Sequence, residues 1–141
     1  MKLMKRKLAM LAAILLQGCV ASGHERIRPL RPLELATAPY QERVTSALTG
    51  SLMYEGGCLL FRPEGTRAWL LPVWPSGSIF NGTSVIFHEP GKAEQPILIS
   101  QQFVMKGRLL PWAALSMAAY APFEHQCSAQ PFLVSGVRPA D

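Results

Sequence analysis

The chain has 141 residues, with 14 lysines and arginines against 9 acidic residues and a formal net charge of +5. Four of the basic residues, Lys2, Lys5, Arg6 and Lys7, fall in the first seven positions, so the remainder carries ten against nine, a net +1. That balance leaves no basic field of the kind nucleic-acid binding requires and argues against that class of function. The basic start runs into Leu8 to Leu16, nine apolar residues, too short to cross a hydrocarbon core that needs about 20 helical residues. Cys19 follows almost at once.

Leu16-Gln17-Gly18-Cys19 resembles the lipobox of bacterial lipoproteins, which has an aliphatic residue, a tolerant position, a small residue and an invariant cysteine. Leu16, Gly18 and Cys19 match, while Gln17 is a less common occupant of the tolerant position. The resemblance implies diacylglycerol transfer to the Cys19 thiol and cleavage between Gly18 and Cys19, which removes residues 1–18 as a signal peptide. It also implies acylation of the new amino terminus, with a fatty acid such as palmitate. At ~0.8 kcal/mol per buried CH₂, one chain binds marginally, whereas two or three hold a protein on a membrane. The cofactor expected is thus only the covalent lipid on Cys19, and the first partner is membrane lipid. By enterobacterial analogy, aspartate after the cysteine would mark inner-membrane retention. Val20 stands there, which favours the outer membrane facing the periplasm.

Residues 19–43 carry Pro29, Pro32 and Pro39 among mixed charges with no sustained period, and read as a flexible tether. Arg26, Arg28 and Arg31 lie on it, diluted by Glu25 and Glu34, as a solvated linker would have them. Contact with acidic lipid headgroups is the functional alternative.

Residues 44–139 suit a single β-rich domain, small enough for a disulfide to matter. Dense turn signals predict short strands over Leu48–Tyr54, Cys58–Arg62, Arg67–Val73, Ser78–Phe80, Thr83–His88, Pro96–Val104 and Pro131–Val137. Gly56-Gly57 and Asn81-Gly82 supply hairpin turns, and Glu89-Pro90-Gly91-Lys92 a type II turn. One stretch breaks the period. Leu109 to Ala121 has helical composition, with Pro111 suited to a first turn and Pro122 to a stop, predicting a helix over about 110–121. Being apolar nearly all round, it should be buried as core or plug. Its Trp112 and Tyr120 are the candidate partner contacts.

With Cys19 assigned to lipid, Cys58 and Cys127 remain as an even pair in an oxidising compartment, which predicts a disulfide. Closing a loop of about 70 residues is worth ~4 kcal/mol in the chain-entropy model. His125-Gln126-Cys127 is far from a zinc ligand set, so no metal is expected. No catalytic motif is present. The one aspartate is Asp141, and neither a Gly-x-Ser-x-Gly elbow nor a phosphate-cradling glycine loop occurs. His24 lies in the tether, His88 and Glu89 end a predicted strand, and His125 follows Glu124 just before Cys127. Trp69 and Trp74 suit either a ligand platform or the core, and core is the commoner fate. Asn81-Gly82-Thr83 matches a glycosylation sequon, for which a turn is explanation enough.

Gly50-Ser51-Leu52, Gly57-Cys58-Leu59, the run from Leu71 to Gly77, and Cys127 followed by Pro131-Phe132-Leu133-Val134-Ser135 resemble a family of small uncharacterised exported bacterial domains. That resemblance implies an OB-like antiparallel β barrel or sandwich with one helix and a bridging cystine, and brings no activity with it. The functional expectation is a membrane-anchored lipoprotein of the cell envelope, a binding or accessory module for an envelope protein or glycan. An envelope hydrolase or enzyme inhibitor is the alternative, and a structural envelope spacer a further one.

Overall fold

The computed structural model describes residues 26–140. The expected signal peptide over residues 1–18, the lipobox-like Leu16-Gln17-Gly18-Cys19, His24 and Asp141 lie outside the described residues. Among the described residues nine strands follow one another as β1 (Thr37–Ala38), β2 (Ser46–Glu55), β3 (Cys58–Pro63), β4 (Leu70–Pro75), β5 (Ile79–Phe80), β6 (Ser84–Phe87), β7 (Gln95–Leu98), β8 (Phe103–Leu109) and β9 (Gln130–Pro139). Five of them close a ring. β2 pairs with β3, β3 with β4, β4 with β9, β9 with β8 and β8 with β2. Every contact in the ring is antiparallel except β4–β9, which is parallel. Counting only ring strands in chain order, this is 1-2-3-5-4-1, the Greek-key circuit of an OB-like barrel.

Local chemistry explains the strands. β2 and β3 meet at Gly56 and Gly57, with φ of 60° and 80°, the double positive φ that a two-residue hairpin twisting with its strands requires. Along β2, Leu52 turns inward and Met53 outward, and along β3 Leu59 and Phe61 are buried while Arg62 is exposed. β4 alternates too, but both of its faces are covered. Leu70 and Trp74 enter the barrel core with Phe61, Phe103, Met105 and Phe132, whereas Leu71 and Val73 join an outer cluster.

The segment before the barrel is part of the fold. β3 matches β4 only at Phe61 opposite Leu70, which leaves the rest of that edge of β4 open. β1 fills it in parallel, with the Trp74 and Ser76 amides donating to the Ala36 and Ala38 carbonyls at 2.8 Å each. Pro75, between them, has no amide to satisfy. Ala36 is buried, and Arg28 pairs with Glu34 at 2.6 Å. The expected tether is therefore seated on the domain along its second half, because buried strand amides need acceptors there.

Two further departures have local causes. Ser100, at φ 70°, interrupts the strand expected over Pro96–Val104. Its first part becomes β7, in a separate three-stranded sheet with β5 and β6, and its second part becomes β8 of the barrel. That small sheet, inserted between the third and fourth ring strands, sends Phe80, Val85, Phe87 and Ile97 into the barrel core. Tyr54 meets Phe80 edge to face at 5.1 Å, and Trp74 meets Phe87 at 6.3 Å.

The helix expected over 110–121 is displaced. Trp112–Leu115 and Ala118–Tyr120 are single 3₁₀ turns, separated by Ser116 and an extended Met117. The α-helix, α1, spans Ala121–Gln126, with Pro122 in its first turn. Proline lacks only an amide that a first turn leaves unbonded, so Pro122 starts a helix here and does not stop one. Leu115, Tyr120, Pro122 and Phe123 are buried, but Ala113, Ala114, Met117, Ala118 and Ala119 face solvent. The segment is a cover over the outer faces of β4 and β9, exposed on its far side. Cys58 at the start of β3 and Cys127 after α1 form the expected disulfide, with Cα atoms 5.9 Å apart.

Candidate functional site

The outward face of β3 carries an arginine–tryptophan pair at the surface. Inward-pointing Leu59 and Phe61 force Leu60 and Arg62 outward, by the two-residue period of a strand. Arg62 is held from two sides. Its Nε donates to the Thr66 carbonyl at 3.2 Å, and its guanidinium lies over the Trp69 ring, 5.5 Å from the centroid. The loop that brings Thr66 there is tight: the Thr66 hydroxyl and amide both donate to the Pro63 carbonyl, and Gly65 turns with φ 76°.

Arg62 stands between two shallow depressions. One is lined by Ser51, Glu64, Thr66, Arg67 and Gln102, over Gly50. The other is lined by Glu55, Leu60, Trp69 and Gln126 beside the disulfide. Gln126 braces the second, its Nε2 donating to the Gly56 carbonyl at 2.8 Å and its Oε1 accepting from the Leu30 amide at 3.2 Å. The result is a half-exposed indole with a fixed guanidinium on it, flanked by amides, hydroxyls and charges of both signs. Such a surface can stack on an apolar ring face and hydrogen-bond to hydroxyl or carboxylate groups around it.

The residues singled out in sequence are scattered by comparison. Trp74 is fully buried in the barrel, while Trp69 is on the surface, so the two make no common platform. Tyr120 is buried, its hydroxyl donating to the Thr37 carbonyl at 2.7 Å, and burial raises its pKa. It is a structural residue that ties the cover to β1 and does not offer its ring to a partner. Trp112 is half-buried and donates through Nε1 to the Ala129 carbonyl at 3.2 Å. His88 directly follows β6 and lies against Gly77, and His125 is exposed in the last turn of α1. Asn81 serves its turn, Oδ1 accepting from the amides of Thr83 and Ser84 at 3.0 and 2.8 Å. Among the described residues, no group of three histidine, cysteine, aspartate or glutamate side chains could hold a metal ion.

One polar cluster was not foreseen. Tyr40 donates to Glu89 at 3.0 Å, and Lys92 pairs with the other Glu89 oxygen at 3.0 Å. Burial and then the Glu89 carboxylate push the Tyr40 phenol up to about 12. Burial would raise the Glu89 carboxyl, but the Lys92 and Tyr40 hydrogen bonds outweigh it and lower the pKa. The cluster fastens the incoming chain to the type II turn. Arg62 was not foreseen either: an arginine in a strand signals nothing until its neighbours are known. No protein-family model, curated protein or solved structure matches this chain.

Proposed function

We propose that this chain is a lipid-anchored lipoprotein of the cell envelope, on the periplasmic face of the outer membrane, serving as a binding module for an envelope glycan. The observation that carries the anchor is Leu16-Gln17-Gly18-Cys19, placed directly after a basic and a short apolar region. The disulfide supports it, since Cys58 and Cys127 use each other and leave Cys19 as the odd thiol. The Arg62–Trp69 face supports the binding role, because it presents a braced aromatic and cationic pair outward where a core residue would be hidden.

Metabolic labelling with palmitate, combined with mass spectrometry of the mature amino terminus, tests the anchor. Label should appear on a peptide beginning at Cys19 and vanish in Cys19→Ser, which should also remain uncleaved. A mature chain beginning elsewhere, or a free thiol at position 19, would overturn the reading.

A further inference from the structure

We infer that the cover segment around Met117, together with Ile27, is a membrane-docking face that rests on the bilayer holding the anchor. From Leu109 to Phe123 the chain carries no charged residue. Its outer side exposes Pro111, Ala113, Ala114, Ala118 and Ala119, with Met117 68% exposed at the centre. A folded domain gains nothing by leaving such a run uncovered in water. The incoming chain meets the same place. Arg26, Ile27 and Arg28 line one groove with Ala118, Ala121 and Pro122, and Ile27 is itself 48% exposed.

Geometry selects the bilayer as the occupant. This step rests on lipid attachment at Cys19. From Cys19 to Arg26 there are seven residue steps, which span at most about 25 Å when fully extended. A domain of this size is about 35 Å across. The anchor therefore keeps the groove end of the domain toward the headgroups and cannot present the far side equally. An uncharged cover segment with Met117 exposed and Trp112 half-buried, bordered by the groove that holds Ile27 between two arginines, has the composition that settles at the boundary between headgroups and acyl chains. Exposed Arg26 beside it suits anionic headgroups.

The test uses the full lipidated protein in vesicles of phosphatidylethanolamine and phosphatidylglycerol, with or without bromine on the acyl chains near the headgroup. Met117→Trp places an indole on the proposed face, and Ile79→Trp, at a position 61% exposed on the small sheet, is its control. Emission is read as the difference from the parent protein. The Met117→Trp indole should be quenched at least twofold more than the Ile79→Trp indole. Equal quenching at both sites, or none at either in protein that floats with the vesicles, overturns the docking face and leaves the anchor standing. Protein that fails to float, or whose amino-terminal peptide lacks lipid, overturns both. A shift from dimer to monomer in detergent on Met117→Asp would identify the face as a contact between copies and would overturn the inference too.

Discussion

A methyl group added at Gly107 would run into the carbonyl oxygen of Leu133 on the neighbouring strand, with the Phe132 ring 2.8 Å away. Gly107 follows the irregularity in the β8–β9 register between Lys106 and Gly107, where an extra residue tightens the coil that closes the barrel. Gly50 makes the equivalent close approach, against Arg62 and Phe61 of β3. Neither residue has positive φ, so their requirement is space and not conformation. Gly107→Ala should therefore destabilise by about 3 kcal/mol, the upper part of the overpacking range, because the obstacle is backbone that cannot swing aside. Gly65→Ala, in open space but at φ 76°, should cost only about 1–2 kcal/mol of backbone strain. Urea unfolding of both variants measures the order, and a Gly107→Ala protein as stable as the parent would contradict this account of closure. At this scale, Gly56, Gly57 and Gly91 were legible in the sequence because turns are local. Gly50 and Gly107 were not, because what crowds them comes from another strand.

Elements in this fold depend on the strand edges they meet, and the segment from Arg28 to Ala38 shows it. Its prolines and mixed charges read as linker, and nothing in a two-residue strand announces itself. What seats it is the open edge of β4, visible only once β3 is known to stop short. Pro122 is ambiguous in sequence for a related reason, since proline fits both the end of one helix and the first turn of the next, and the buried Phe123 and disulfide behind it decide which. The docked segment has its own electrostatic latch. The Arg28 hydrogen bond, opposed by burial and joined by the Arg31 amide, holds the Glu34 carboxyl below its usual range. A lowered folded pKa means that Glu34 stabilises the protein above the ordinary carboxylate pKa, and that this contribution is lost as pH falls through the folded value. Thermal midpoints of the parent and Glu34→Gln should therefore differ most at and above the ordinary carboxylate pKa and converge as pH falls below that range, through the lowered folded value. Glu89 is also lowered, but it titrates in both proteins and cancels in the difference. Two curves that stay parallel to low pH would show that the latch contributes nothing.

For the whole molecule, the hairpins, the cystine and the β class were legible because each follows from local turn chemistry or cysteine number. The parallel β4–β9 contact that closes the ring joins residues about 60 apart and left no local signal. The fate of the tryptophans belongs to this scale as well, and it yields the decisive test of the binding role. Ring closure puts Trp74 inside, beneath the small sheet, and leaves Trp69 one residue outside β4, under Arg62. Trp74→Ala should cost about 3–5 kcal/mol as an unfilled core cavity. Trp69→Ala should cost about 1 kcal/mol or less, since it loses little more than an exposed cation–π contact. Co-sedimentation with purified peptidoglycan then separates stability from recognition. The folded parent should be retained, and Trp69→Ala and Arg62→Ala should each weaken retention about tenfold, as loss of an aromatic or arginine anchor does at a binding surface. Arg62→Lys should recover little, because a point charge cannot lie flat on the indole while donating to the Thr66 carbonyl. Retention unchanged in all three variants would place the glycan contact elsewhere, and no retention of the parent would remove glycan from the proposal.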